Sequence, residues 1–247
     1  MLRLLPTLEA DGPTQMATDE ALLEAAVATT LRLYRWRPAT VSLGYFQAWE
    51  GIAPRLPPGP AGPLPVVRRI TGGGAIWHDH EVTYALVGEL GRDGLPERVR
   101  DVYPLLHGAV MAELSRRGAS VDRQEADAGD RRYREEPRCF ASPAADDLVS
   151  AAGGKVLGSA ARVRERRILV HGSLKLASNP WDGVAVAACG LPWDEAAAAL
   201  VTGIATALGL GTTDGQMTAG ECAAQKRIHA ERYGNDDWVQ RRLGPRA

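Results

Sequence analysis

Cysteine is scarce in this chain. The 247 residues include three, Cys139, Cys189 and Cys222, an odd number at wide and irregular spacing. That pattern argues against a disulfide framework and against a zinc cluster, so no metal is expected. It leaves room for one reactive thiol. Long apolar runs are also missing, and none approaches the ~18 residues that span a bilayer. The opening Met-Leu-Arg-Leu-Leu-Pro is too short and interrupted for a signal peptide, and the expected location is cytoplasmic. Excess charge is absent, with a formal net charge of −1. Bulk charge therefore makes no case for nucleic acid or for a membrane surface. There is no internal repeat and no composition shift, so residues 1–247 read as one domain.

What is present is ordinary globular material. Hydrophobic residues make up 45% and charged residues 24%, enough for a sizeable core. Good helix formers dominate Met16 to Val27, which predicts a first helix with Thr14 as N-cap and with Asp19 and Glu20 near its exposed side. Strand patterns cover Leu31 to Trp36, Val41 to Gln47, Val66 to Ile70 and Val82 to Val87. Gly44 marks a bulge or a close approach within the second of these. The stretch Arg55 to Pro65 is a proline- and glycine-rich surface excursion.

Pro96 to Arg117 reads as a helix, with a helical period through Val99, Val102, Leu105, Leu106, Val110 and Leu114. Pro104 kinks this helix or delays its start, and Gly118 stops it. His107, in mid-helix, reads as a structural histidine. Residues 119–138 read mostly as a solvated loop. A hairpin turn at Ala151 to Gly154 joins Asp146 to Val149 with Lys155 to Ala160. Ile168 to Leu176 is a further strand, and helices follow from Trp193 and from Glu221.

One stretch stands apart: V-V-R-R-I-T-G-G-G-A-I-W-H-D-H-E-V-T-Y, from Val66 to Tyr84. Three consecutive glycines suit a loop that lets a ligand approach the backbone. Beside Arg68 and Arg69, that ligand would carry an acyl, phosphate or carboxylate group. A glycine hairpin with two surface arginines is the plainer reading.

A second block shifts the balance. It reads G-K-V-L-G-S-A-A-R at 154–162 and I-L-V-H-G-S-L at 168–174. In this order the two blocks resemble the biotin/lipoyl protein ligase superfamily, in its lipoyl and octanoyl branch. M-A-T-D-E-A-L-L near the start and Y-G-N-D-D-W near the end fit as well. Cys139-Phe140-Ala141-Ser142-Pro143 resembles the C-F-x-x-P element of cysteine-dependent octanoyltransferases and of related lipoyl-domain amidotransferases. ATP-dependent lipoate ligases have no cysteine there and tend to carry a C-terminal accessory domain. None is expected here, because the chain ends soon after Tyr233 to Trp238. The arginine-glycine nucleotide loop of biotin ligases is not found. After Pro143 the chain departs from the transferase pattern. Asp147-Leu148-Val149 is closer to the ligase's N-D-L-V, which leaves the acyl donor open.

The resemblance implies an α+β fold: a mixed, largely antiparallel central β-sheet flanked by helices, in a catalytic domain like that of class II aminoacyl-tRNA synthetases. It implies an N-octanoyltransferase of lipoate biosynthesis that moves octanoyl from acyl carrier protein to a lysine of a lipoyl domain or of glycine cleavage H protein. Amidotransfer between lipoyl carrier proteins, ATP-dependent ligation and non-catalytic binding are the alternatives. No cofactor is expected, ATP and Mg entering only with the ligase; nucleic acid and membrane are not expected partners. Cys139 is the expected nucleophile, since a thiol suits thioester exchange and reacts as a thiolate favoured by a nearby cation. Lys155 is that cation. Arg68, Arg69, Gly72, Gly73 and Gly74 would line an acyl and pantetheine channel shaped by Thr71 and His78. Gly158, Ser159 and Ala160 follow Lys155 along the site, and His171, Gly172 and Ser173 would support the far wall. Cys189 and Cys222 read as small buried apolar residues. Arg162, Arg164, Arg166 and Arg167 read as a solvated turn, or else as a dock for acidic carrier domains.

Overall fold

A computed structural model describes residues 1–59, 62–125, 136–141, 143–179, 181–182 and 187–242. Ser142 and residues 126–135 of the expected solvated loop lie outside the described residues. The chain begins β1 (Leu2–Ala10), α1 (Gly12–Ala25), β2 (Thr30–Trp36), β3 (Thr40–Leu43), α2 (Trp49–Ile52), β4 (Pro58–Gly59) and β5 (Gly62–Pro63). It continues β6 (Val66–Arg68), β7 (Ile76–His78), β8 (Glu81–Glu89), α3 (Val102–Arg116), β9 (Asp122–Arg123) and β10 (Leu148–Val149). It closes with β11 (Lys155–Arg164), β12 (Arg167–Lys175), α4 (Trp193–Leu208), β13 (Thr212–Asp214), α5 (Ala219–Ile228), a π turn (His229–Tyr233) and α6 (Asp236–Arg241).

Among the described residues eight strands form the main sheet, in the order β13-β1-β2-β8-β12-β11-β10-β9. β1 runs parallel to β2 and β13, and every other pairing is antiparallel. This is the mixed, largely antiparallel α+β architecture that the resemblance implied. Alternate side chains divide between the sheet's faces, as the strand period requires. Leu31, Leu33, Val82, Tyr84, Leu86 and Val170 join the core that includes α3 and α4. Tyr34, Trp36, Ala85, Val87 and Leu169 join the core that includes α1 and α5. A small second sheet, β6-β3-β7, carries the arginine and histidine segment across Thr40–Leu43. Among the described residues no helix is long and apolar enough to cross a membrane.

Helix α1 departs from the expectation in two ways. Asp11, not Thr14, is its N-cap, and the Asp11 side chain accepts from Thr14 N at 2.8 Å. Asp19 and Glu20 are 1% and 2% exposed, not solvent-facing. The helix is enclosed because it packs against the sheet and also against α5. Buried carboxylates need partners. Asp19 takes Arg32 Nε at 2.8 Å and Tyr34 OH at 3.0 Å. Glu20 takes Arg164, Arg232 and Tyr233 OH.

Of the four arginines of the β11–β12 hairpin, Arg166 is exposed as a solvated turn requires, whereas Arg162, Arg164 and Arg167 are half-buried against the fold. Arg167 donates to the carbonyls of Leu23 and Ala26 at 2.7 and 2.9 Å, at the negative end of the α1 dipole. Arg164 pairs with Glu20 and Arg166 with Leu90 O and Glu97. Arg162 lies over the Tyr45 ring at 5.5 Å. Elsewhere the expected delay holds: α3 starts at Val102, so Pro104 falls in its first turn, where no intrahelical N–H bond is lost. Gly118 follows in a left-handed conformation, φ +89°. The expected strand from Val41 stops at Leu43. A β-carbon on Gly44 would overlap Gly73 O, so the chain turns there against the glycine loop.

Candidate active site

The glycine loop and the cysteine segment meet through backbone bonds. Ala75 N donates to Pro137 O at 2.7 Å, and Cys139 N donates to Ala75 O at 2.8 Å. Ile76, Cys139 and Phe140 pack together above this bridge. Cys139 thereby reaches the wall of a cavity of about 430 Å³. Lys155 enters the same wall from the start of β11. Its Nζ lies 3.4 Å from Cys139 Sγ and 2.8 Å from Asp147 Oδ2. Asp147 Oδ2 is fixed in turn by Ala144 N at 2.6 Å. Cys139 is 8% exposed and Lys155 1%. The Phe140 ring stands 5.0 Å from Lys155 Nζ and 4.8 Å from Lys175 Nζ. Gly158 has no side chain for a visible reason: a β-carbon there would overlap Lys155 Cε and Nζ.

Three histidines complete the walls. His78 stacks on Trp36, ring centroids 4.0 Å apart, with Nδ1 2.6 Å from Glu81 Oε1 and Nε2 2.7 Å from Ser42 Oγ. Burial draws the His78 imidazole down to about 4 against the favourable pull of Glu81. Burial pushes the Glu81 carboxyl up, but Lys175 at 2.6 Å and His78 outweigh it and hold the group below the usual carboxylate range. His171 has Nε2 2.6 Å from Thr71 Oγ1 and Nδ1 2.9 Å from Asp19 Oδ2. His107 projects from α3, with Nδ1 2.6 Å from Asp146 O and Nε2 2.7 Å from Ser159 Oγ. Burial lowers the His107 imidazole, and it pushes the Tyr103 phenol on the same wall up to about 12.

Arg69, Gly72, Gly73, His78, Cys139, Lys155, Gly158, Ser159, Ala160, His171, Gly172 and Ser173 line this cavity together. Arg68, Thr71 and Gly74 are not among the lining residues. Arg68 is turned instead toward the carbonyls of Gly44, Tyr45, Gln47 and Val239, so it braces the turn after β3; burial draws it down to about 10. Thr71 acts on His171, and the Gly74 carbonyl accepts from Arg69 Nη2 at 2.7 Å. Both arginines are buried, so the plainer reading of two surface arginines is set aside.

Asp147, Ser42 and Glu81 belong to the site or brace it without having been assigned roles from sequence, and His107, expected as a structural histidine, is buried with both ring nitrogens bonded and also lines the cavity. Asp147 alone carried a signal, in its ligase-like Asp-Leu-Val. Of the other cysteines, Cys189 is buried, and burial pushes its thiol up. Cys222 is half-buried, not fully so as expected.

The mixed sheet, the braced triglycine loop and the thiol–lysine pair define a lipoyl-ligase-type catalytic domain. The chain belongs to the lipoyl protein ligase A/B catalytic domain family, which it matches over residues 11–188. It is an enzyme, an acyltransferase. A relative from Symbiobacterium thermophilum, octanoyltransferase LipM, is 34% identical over 274 residues, covering 97% of this chain and 98% of the relative. The LipM octanoyltransferase of Moorella thermoacetica is 38% identical over 188 residues, covering 74% of this chain and 68% of the relative. The fold is shared with lipoate-protein ligase A bound with ATP, at a TM-score of 0.78, 21% identity and coverage of 98% and 100% of the two chains. It is shared too with the bipartite lipoate protein ligase of Thermoplasma acidophilum, solved in work on that ligase and its E2 lipoyl domain (TM-score 0.76, 21% identity, coverage of 99% and 98%).

Proposed function

We propose that this enzyme is an octanoyltransferase of lipoate biosynthesis that works through an octanoyl thioester on Cys139. The observation that carries the reading is the position of Lys155 Nζ, 3.4 Å from Cys139 Sγ and held by Asp147, inside a cavity of ligand-binding size. In the first half-reaction the Cys139 thiolate attacks the carbonyl carbon of octanoyl-carrier protein. The bond from that carbon to the pantetheine sulfur breaks, and the departing thiolate takes up the proton that the Cys139 thiol lost. In the second, the ε-amine of a lipoyl-domain or H-protein lysine attacks the acyl-cysteine carbonyl. The amide forms, the carbon–sulfur bond to Cys139 breaks, and the amine's proton goes to the released thiolate.

Lys155 stabilises both the thiolate and the oxyanion that develops beside it. Because the donor is already a thioester, exchange is nearly isoenergetic and ATP has no part in it. The cytoplasm, where thiols are kept reduced, suits a free nucleophilic cysteine. One observation favours a second donor: Asp147-Leu148-Val149 resembles the ligase pattern. A donor panel separates the readings. Octanoyl-carrier protein, octanoylated lipoyl domain, and free octanoate with ATP are each offered with an apo lipoyl domain. Transfer from the carrier protein alone supports the proposal. Transfer only from a lipoyl domain makes the enzyme an amidotransferase, and transfer only with ATP makes it a ligase.

A further inference from the structure

The mechanism above uses Cys139, Lys155 and Asp147 and leaves a buried chain of polar side chains beside the same cavity without a task. That chain begins at Lys175, whose Nζ donates to Glu81 Oε2 at 2.6 Å. Glu81 Oε1 holds His78 Nδ1, and His78 Nε2 meets Ser42 Oγ. Ser42 Oγ and Ser42 O both accept from Arg69 Nη1, at 3.0 and 3.1 Å. Arg69 Nη2 then donates to Gly72 O and Gly74 O, each at 2.7 Å. Four side chains, Glu81, His78, Ser42 and Arg69, thus connect one buried ammonium to two carbonyls of the triglycine loop.

The direction of each bond is determined by chemistry. An ionised carboxylate only accepts, so His78 Nδ1 carries the ring proton toward Glu81. The burial that draws His78 down leaves its Nε2 as an acceptor, and Ser42 O–H donates to it. Ser42 Oγ then offers its remaining lone pairs to Arg69, which can only donate. We infer that Ser42, Glu81 and His78 are positioning residues: they aim Arg69 so that it ties back the carbonyls of Gly72 and Gly74 and holds the glycine loop in the shape that receives the acyl thioester. The physical gain is electrostatic. A loop carbonyl turned into the cavity would repel the partly negative carbonyl oxygen of the bound thioester, and the guanidinium engages two such loop oxygens. Gly73 sits between them at φ +91°, a conformation that other residues rarely adopt, so the loop needs an external brace to keep one shape.

This inference rests on the proposed octanoyltransferase reading, and its test separates the two. The first half-reaction is followed by intact mass and by its rate as octanoyl-carrier protein is raised. Cys139 alkylation by iodoacetamide and a thermal melt are recorded on the same samples. Ser42→Ala removes only the hydroxyl between His78 and Arg69. It should raise the donor KM by roughly tenfold to a hundredfold, the range for one lost hydrogen bond to a charged group, while kcat and Cys139 alkylation stay within about twofold. Glu81→Gln should shift KM in the same direction and serves if Ser42→Ala does not fold. A wild-type enzyme that never gains octanoyl would defeat the functional proposal itself. A wild-type enzyme that does, beside variants with unchanged donor KM, would overturn this inference alone. So would equal losses in KM, kcat and alkylation, because those are the mark of a generally loosened fold.

Discussion

Gly158 is the residue that makes room for Lys155. A β-carbon on Gly158 would occupy the space of Lys155 Cε and Nζ and would lie 3.1 Å from Asp147 Oδ1. The glycine therefore belongs to the site as a space, and what fills that space is the ammonium beside the nucleophile.

Gly158→Ala should displace the ammonium while leaving β11 paired with β12. Octanoyl transfer should fall about a hundredfold, the usual consequence of misplacing a catalytic group by about 1 Å. Single-turnover acylation and a thermal melt check it together. A normal rate would show that the position of Lys155 does not matter.

Lys155→Met should lower the acylation rate by about a hundredfold or more, the scale of a lost charge-stabilising or proton-transferring group. Lys155→Arg should not rescue it. The Lys155 ammonium packs directly over Gly158, and a planar guanidinium is broader and presents its donors in a different geometry. Rescue by arginine would mean that charge alone suffices there.

Asp19 and Arg32 form a buried ion pair at 2.8 Å, both side chains 2% exposed. Asp19→Asn leaves the arginine charge without its carboxylate, which costs about 3–5 kcal/mol in such pairs. Arg32 keeps Gln15 Oε1 and Gln15 O at 3.0 and 2.9 Å, so the loss should fall at the lower end. Urea unfolding measures it, and a loss below about 1 kcal/mol would contradict the account.

Stability should decline on acidification. Unfolded His78 takes up a proton near its ordinary value of 6.5, whereas the folded residue resists until about 4. Between those values the unfolded chain binds more protons, so stability rises with pH and is lost as pH falls. His107, also lowered by burial, adds the same sign. Glu81, held below the usual carboxylate range, adds it again at lower pH, because the unfolded carboxyl protonates first. From His78 alone the effect is at most about 3 kcal/mol. Melts of wild type and His78→Gln across this window test it: the wild type should show the steeper slope. Parallel slopes would remove His78 as the cause.

Much of this arrangement was legible in the residues, for definable reasons. Strand β2 announces itself by partial two-residue alternation, β8 by an apolar run, and the turn before Lys155 by its two glycines. Cys139 and Lys155 were found through motif likeness, and the structure brings them to 3.4 Å. What escaped was whatever depends on who lies opposite. Asp19 and Glu20 look like exposed helix residues until α5 and the π turn close over them. Arg68 and Arg69 are adjacent and alike in sequence, yet in the structure the strand period sends Arg68 to the turn after β3 and Arg69 to the cavity. His107 is a helical residue whose partner, Ser159, is 52 positions away, beyond the reach of any local pattern.

The central claim is a covalent octanoyl group on Cys139. The direct measurement is intact mass, with peptide mapping, after the enzyme is mixed with octanoyl-carrier protein and no acceptor. The account predicts one added octanoyl group, on Cys139, removed when an apo lipoyl domain is supplied and absent from Cys139→Ala. Normal turnover by Cys139→Ala, or an octanoyl group found on any other residue, would contradict it.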